Sequence, residues 1–491
     1  MNASSLLLVL LGVVVCYLLV GVLQWWRRRR EGRAPPHWSW PIVGDNLALL
    51  FFLSPEDAWC TRFEWHGTRT RASLFGKELF ITAVPEDAKR IFAAEGKEVQ
   101  GWLPPHLHEL EGKAITAVTG TQHKVLRKAL FTLFTTPAMK SYFGTMKHFV
   151  EKHVREWKET PGPLTMMPLL RTLTYEAVYG CMIDKETATS NDQVQLYEEW
   201  INGFSSLPFH IPGRGLVKGL AAKEQLRHNV KALLDEAREE KTKGTSSKQH
   251  KATVVLMLLR LAEEMEAAGG EEGVLIDDET LIDNLLIFLL AGHETVLSTM
   301  CSLMKLLPEH PEVMRKALEE VRNVVPDGEE LTFEHVQSLA YCTAIVKEVL
   351  RVVPPVVGAF REVLEPITLG QYTIPRGETI MVSYQGVHSQ AFNDPKTFDP
   401  DRFHRESETY STKYKDDDRT CFLSFAAGIR SCVGMKFAML EVVTLLAVLM
   451  REKLVWDLVP GQDLSLVRGG ISLKVSSGVI VNFLQEGKKA D

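Results

Sequence analysis

Near the C-terminus a single cysteine sits inside a frame of fixed residues, Phe425-Ala426-Ala427-Gly428-Ile429-Arg430-Ser431-Cys432-Val433-Gly434, and an apolar helical run from Met435 to Leu449 follows at once. Such a frame recurs by chance on the order of once in several million windows at average residue usage, so it constrains the chain more than any other stretch. A helix N-terminus offers free backbone N–H groups and the positive end of the helix dipole, both of which favour a thiolate. The position therefore predicts a depressed pKa for Cys432 and a sulfur able to ligate iron. Gly428 suits a tight turn and Gly434 a close backbone approach to a flat cofactor. Arg430 can pair with a carboxylate, and Phe425 can shield the sulfur from water. A free cysteine is otherwise most often a small buried hydrophobe; the improbability of the frame tells against that reading.

Composition adds limits. The 491 residues carry a net charge of −6 and are 45% apolar, enough for a large core, and no basic tract suggests nucleic acid as a partner. Seven cysteines lie without regular spacing or a Cys-x-x-Cys pair, which speaks against a disulfide framework and a structural zinc site. Residues 6–23 form an uncharged run of about 18 residues, about 27 Å of helix, just enough to cross a bilayer core. Trp25 and Trp26 suit the interface, and Arg27 to Arg30 then place the rest in the cytosol by the positive-inside rule. The charges follow the apolar run and no small-residue cleavage site is evident, which favours a signal anchor over a cleaved signal peptide. The expected organisation is a transmembrane anchor over 1–26, a basic, Pro-rich linker over 27–44 and a catalytic body over 45–491.

Apolar stripes of period 3.6 predict helices over 139–157, 193–204, 224–239, 254–267, 281–307 and 311–324, with polar loops over 241–251 and 269–273. Residues 405–419 read as an irregular charged loop. Short β-like runs cover 72–75, 79–82, 367–369, 379–382, 473–475 and 479–483. The fold class is mainly α with small β-sheets. No βαβ alternation and no Gly-x-Gly-x-x-Gly fingerprint for a nicotinamide or flavin is present.

The long helix carries Ala291-Gly292-His293-Glu294-Thr295 at its middle. Gly292 costs about 1 kcal/mol there and removes bulk from one face. Thr295 can bond back to the Ala291 carbonyl, bending or widening the helix. Together they form a notch for a diatomic ligand, with Glu294 beside it as a proton source; a kinked core helix with a solvated glutamate would read the same. His293 is expected to point away from the notch. Glu348 and Arg351 share a helix face, and their apolar neighbours imply burial and a third partner, for which Arg402 is the candidate.

These segments, in this order, resemble the cytochrome P-450 haem-thiolate monooxygenases: the cysteine frame, the acid–threonine pair, Glu-x-x-Arg, and Asp399-Pro400-Asp401-Arg402-Phe403 for Pro-x-Arg-Phe. The resemblance implies the cytochrome P-450 fold and haem b with Cys432 as the thiolate ligand of its iron. It implies proton delivery by Thr295 and Glu294, with Gly292 beside the cofactor. Haem propionates would be held by Arg430, by Arg361, and by His123 and Arg127 four apart on one helix; many members carry Trp where His123 stands. Glu348, Arg351 and Arg402 would lock the cysteine loop.

Residues 120–128 and 207–213 resemble the eukaryotic microsomal clan acting on sterols, retinoids and plant isoprenoids. An apolar isoprenoid or steroid-like substrate, O2, an NADPH-dependent flavoprotein reductase and the endoplasmic reticulum membrane follow as expectations. Lys124, Lys128 and Lys436 would dock the reductase, unless they are ordinary solvated lysines. The loop 102–118, Ala291, Thr295, a turn at 356–360 and residues 468–471 would line the substrate pocket. Two alternatives stay open: a same-fold peroxide isomerase or dehydratase needing neither O2 nor reductase, which typically lacks the acid–alcohol pair, and a non-catalytic haem-binding membrane protein.

Overall fold

The computed structural model describes residues 67–74, 77–183, 191–242, 253–267, 276–326, 328–469 and 471–485, together with positions 12 and 19. The expected linker, the rest of the anchor, the loop 269–273 and nearly all of 241–251 lie outside the described residues.

The helices are α1 (Pro85–Ala93), α2 (Pro105–Glu111), α3 (Gly120–Phe131), α4 (Thr136–Glu159), α5 (Met166–Ile183), α6 (Asn191–Phe204), α7 (Gly215–Thr242) and α8 (Val254–Ala267). They continue with α9 (Asp278–Leu306), α10 (Pro311–Val324), α11 (Phe333–Ser338), α12 (Ala340–Val352), α13 (Tyr384–Ala391), α14 (Glu408–Thr412) and α15 (Met435–Arg451). The strands are β1 (Arg69–Leu74), β2 (Lys77–Thr82), β3 (Val99–Gly101), β4 (Leu164–Thr165), β5 (Gly358–Val363) and β6 (Ile367–Leu369). After them come β7 (Tyr372–Ile374), β8 (Thr379–Ser383), β9 (Leu454–Leu458), β10 (Leu466–Gly469), β11 (Ser472–Val475) and β12 (Ile480–Gln485).

Helix α9 organises the core. Asp277 caps it by accepting from Thr280 N at 2.8 Å, and Asp278 and Glu279 in the first turn suit its positive end. Beyond that turn it is apolar on nearly every side, the pattern of a core helix, and it packs against α5, α7, α12, α15 and β11. It is long and apolar enough to cross a membrane, but its most apolar window is mostly buried among its neighbours. Only Phe288, Ala291, Gly292, Thr295 and Lys305 keep accessible surface past its first turn. The first four fall at i, i+3, i+4 and i+7, so they form one open stripe. Helix α15, similarly apolar, carries the segment after Cys432 into the same core.

The largest sheet has the order β1-β2-β8-β5-β3 and is antiparallel except for the β2–β8 pair. Its central strand β8 is buried along its whole length, with Ile380, Met381 and Val382 at its middle. Smaller sheets pair β4-β12-β9, β10-β11 and β6-β7.

Several expectations need correction. The turn predicted at 356–360 is mostly strand: Gly358 to Glu362 pair with β8 and Val99 to Gly101 with β5. Local signals mislead there because Pro354 and Pro355 precede it and its partners lie far away in sequence. Helix α7 starts at Gly215 instead of 224, because Leu216, Ala222 and Leu226 are buried in the core. The charged stretch 405–419 contains α14, capped by Ser407 accepting from Tyr410 N. The short strands β3, β4, β7, β9 and β10 show too few residues for any periodicity to register.

Candidate active site

The cysteine loop is built from fixed turns. Leu423 N donates to His388 Nε2 at 2.8 Å, and Ser424 Oγ donates to Leu350 O at 2.8 Å. His388 Nδ1 in turn donates to Arg351 O at 2.9 Å, so the ring is neutral; burial pushes its pKa down to about 4. Phe425 packs edge-on against Phe422, which stacks on His388. Gly428 has φ +70°, and a Cβ there would lie 2.9 Å from Phe92 O, so turn and close approach both require glycine. Cys432 N donates to Phe425 O at 2.8 Å and closes the loop.

Cys432 then stands at the start of α15, closely surrounded by protein but itself exposed on one side. Backbone N–H groups of Gly434 and Met435 and the Arg127 charge favour its thiolate, but burial outweighs them and the thiol pKa is raised. This corrects the depressed pKa expected from the helix position. The donors are in place, but the protein packed around the sulfur displaces part of its water, which costs more than they return. A bound metal cation supplies the missing charge and deprotonates such a thiol outright.

One buried ionic network braces the loop. Arg351 Nε and Nη2 donate to Glu348 Oε2 and Oε1 at 2.7 and 2.8 Å, and its Nη1 and Nη2 also reach Pro395 O and Thr397 O. Asp399 N donates to Glu348 Oε1 at 2.9 Å, and Arg402 Nε lies 3.6 Å from Glu348 Oε2. The predicted trio is therefore assembled, with a fourth member that sequence reasoning missed. Arg402 Nη1 donates to Asp417 Oδ2 at 2.7 Å, and its guanidinium lies 3.9 Å from the Tyr414 ring centre. Nothing distinguishes Asp417 in sequence from its neighbours Asp416 and Asp418.

A second cluster brings together the cations predicted to hold propionates. Arg361 comes from β5, Arg430 from the cysteine loop, and His123 and Arg127 from α3. Burial and the neighbouring charges of Arg430, Arg127 and Arg361 push His123 down to about 4, so it is neutral. Arg127 Nη1 and Nη2 donate to Ser431 O and Oγ at 2.6 and 2.9 Å, tying α3 to the residue before the cysteine. Arg430 Nη2 donates to Val118 O at 2.8 Å. Sequence reasoning missed Glu95, whose carboxylate lies 2.5 Å from Arg361 Nε and 2.6 Å from Arg430 Nε. As one of two acids in the polar run Glu95-Gly96-Lys97-Glu98 it gave no signal. Arg361 and Arg430 thus share one carboxylate, while Arg127 beside them is bonded only to Ser431 among the described residues. Buried cations need counter-charges, so the cluster suits a group bearing carboxylates, and Cys432 suits a soft metal at its centre. The donor set fits an iron haem.

On α9, Thr295 Oγ1 donates to Ala291 O at 2.7 Å, as its position predicts. The helix nonetheless runs unbroken from Asp278 to Leu306. Gly292 lies on the open stripe, but the Cβ it lacks would meet Val178 Cγ2 at 3.2 Å. Its missing bulk thus admits α5, correcting the expectation that it hollows a notch. His293 points into the core, Nδ1 2.8 Å from Thr174 Oγ1 and edge-on to Tyr175 and Tyr197; burial lowers its pKa to about 3. Glu294 is not solvated. Its Oε2 lies 2.8 Å from Lys474 Nζ on β11, and its backbone carbonyl accepts from Ser472 Oγ at 3.1 Å. Lys474 too was missed.

Comparisons with known proteins agree with this geometry. The family profile described as Cytochrome P450 matches residues 34–473. The chain is 26% identical over 451 residues to Taxane 10-beta-hydroxylase of Taxus cuspidata, covering 90% of this chain and 88% of that relative. It is 25% identical to Beta-amyrin 28-monooxygenase of Solanum lycopersicum, covering 89% of this chain and 90% of that protein. The fold is similar to that of retinoic acid-bound cyanobacterial CYP120A1, with a TM-score of 0.79 at 24% identity over 92% of this chain and 99% of the other. Members of the family bind apolar substrates, use O2 with redox partner reductases, and hold haem b through a cysteine thiolate on iron. This chain, an oxidoreductase of that kind, belongs to the cytochrome P450 family.

Proposed function

We propose that Cys432 is the iron ligand of a membrane-anchored monooxygenase that inserts one atom of O2 into a C–H bond of an isoprenoid or steroid-like substrate. One observation carries the reading: the sulfur under the Gly434 and Met435 N–H groups stands in a cluster of Arg127, Arg361 and Arg430, of which the last two share a single carboxylate, Glu95. Haem, when bound, supplies the oxygen-activating chemistry. Arg127, Arg361 and Arg430 would hold its carboxylates, with neutral His123 as a further hydrogen-bond donor. The N–H groups behind the sulfur stabilise its negative charge, and Phe425 keeps water from it.

The open stripe of Phe288, Ala291, Gly292 and Thr295 on α9 would form the oxygen and substrate wall. Thr295 Oγ1, anchored on Ala291 O, orients a proton at its hydroxyl. Glu294, whose carboxylate lies 2.8 Å from Lys474 Nζ, is the neighbouring proton source. Residues 102–118, the first residues of β5 and the β10–β11 hairpin complete an apolar pocket. Relatives named for taxanes and beta-amyrin, and a neighbour holding retinoic acid, support an isoprenoid-derived substrate. Exposed Lys124, Lys128 and Lys436, with exposed Ile429 and Met435, offer a docking face for an acidic NADPH-dependent flavoprotein reductase. The apolar run 6–23 followed by four arginines anchors residues 45–491 on the cytosolic side of the endoplasmic reticulum membrane through the linker 27–44.

The test is the ferrous–carbon monoxide spectrum of the full haem-loaded chain. The red-shifted band of a thiolate-ligated haem is expected, and Cys432→Ala abolishes it; absence of the band in intact wild-type protein overturns the assignment. Titrating the ferric protein with sterols, retinoids, diterpenoids and fatty acids tests the substrate. A spectral shift with fatty acids alone would count against an isoprenoid.

A further inference from the structure

We infer that Glu95 is the charge-setting residue of the arginine cradle, positioning Arg361 and Arg430 and reducing the cradle's charge to match a cofactor with two carboxylates. The inference rests on the haem reading above.

Glu95 follows α1 in a tight bend where Gly96 N donates to Val99 O at 2.8 Å, so its side chain is aimed by backbone already fixed in β3. The carboxylate is buried, with 5% of its side chain accessible. Its Oε1 accepts from Arg430 Nε at 2.6 Å and from Gly101 N at 2.9 Å, while Oε2 faces Arg361 Nε at 2.5 Å. A Cβ on Gly101 would lie 2.6 Å from Arg430 Cζ, so that glycine leaves the space the guanidinium occupies. Arg361 Nη1 is turned to Phe360 O at 2.8 Å and Arg430 Nη2 to Val118 O. Arg361 Nη2 and Arg430 Nη1 have no hydrogen bond among the described residues. One internal carboxylate thus orients two arginines by their Nε edges and leaves one Nη on each for a ligand.

The charge count follows the same pattern. Three guanidinium charges less one carboxylate leave two positive charges, with His123 neutral. The porphyrin ring, ferric iron and one thiolate together carry no net charge, so the cofactor's excess is its two carboxylates. With Glu95 the assembly is neutral; without it, one buried positive charge has no partner. A positive charge near iron favours the ferrous state over the ferric, because it repels the higher charge more strongly.

The experiment compares full-length holoprotein with Glu95→Gln, Arg361→Gln and the double variant. Reduction potential and the rate of haem transfer to apomyoglobin are read for each. Glu95→Gln is expected to raise the potential and speed haem transfer by about tenfold, the effect of losing a charge-assisted hydrogen bond. Arg361→Gln should lower the potential, and the double variant should return towards wild type. A Glu95→Gln potential equal to wild type, or a double variant no nearer wild type than Glu95→Gln, overturns the inference. If Glu95→Gln accumulates without haem, recovery of haem in the double variant supports it and lack of recovery overturns it. Failure of the thiolate band in wild-type protein strikes at Cys432 instead, so the two ideas fail separately.

Discussion

Two buried arginine clusters flank the cysteine loop, and they differ in how their charge is balanced. In one, Arg351 and Arg402 meet Glu348 and Asp417, with backbone carbonyls from Pro395, Thr397 and Asn393 taking further donors. Two cations face two carboxylates, and the protein supplies both signs. In the other, Arg361 and Arg430 share Glu95, the one carboxylate paired with the cluster among the described residues, while Arg127 bonds Ser431. Arg361 is nearly as buried as the first pair, at 5% exposure against 2% for Arg351, while Arg127 and Arg430 are half-buried. A cluster whose only task is structural closes on itself, because an unmatched buried charge costs several kcal/mol. A cluster left with excess charge is built around something else that carries the balance.

The largest effect should come from breaking the balanced cluster. Glu348→Ala leaves two buried guanidinium groups short of a partner and should cost about 3–5 kcal/mol, read by chemical unfolding of haem-free protein. A loss below about 1 kcal/mol would erase the contrast. Arg361→Gln should behave differently: haem-free stability should move by less than about 1 kcal/mol, since an excess charge is removed, while haem affinity falls about tenfold or more. Equal damage to the haem-free protein from both substitutions would show that the clusters are alike.

Acid should sharpen the comparison more gently. His123 titrates at about 4 in the fold against an ordinary value of 6.5, so between those values the unfolded chain binds more protons. Haem-free stability should therefore fall as pH drops from about 6.5 to about 4. His388, also near 4, and His293, near 3, act in the same direction. His123→Gln should flatten only its own share of the slope, and an unchanged profile would place that histidine's charge elsewhere. The smallest effect is expected at Gly292→Ala, where a helix-propensity gain of about 1 kcal/mol opposes crowding of Val178. The melting temperature should barely move. A lost or altered ferric ligand spectrum in that variant would return Gly292 to the role of a notch.

Reading the chain alone recovers much of this arrangement because some physics is local. The helices over 254–267 and 311–324 begin and end where apolar periodicity stops. Thr295 bonds to Ala291 O because a helix puts that carbonyl one turn back. Glu348 reaches Arg351 for the same reason of spacing. The partners that went unseen, Glu95, Ser431, Asp417 and Lys474, are ordinary polar residues whose meaning depends on what lies against them. β5 belongs with them, since its strand character comes from β8 and β3 and not from its own six residues.

The sequence by itself determined the mainly helical class and the cysteine frame before its helix, because each depends on neighbours a few positions away; the cations expected to serve a carboxylate came from the family resemblance. Only the tertiary structure decided how charge is distributed among them: that Glu348 and Asp417 balance one cluster, that Glu95 leaves the other positive, that Lys474 holds Glu294, and that burial raises the Cys432 thiol despite its helix. Charge balance and desolvation depend on every group brought within a few ångströms, and folding, not chain order, chooses those groups.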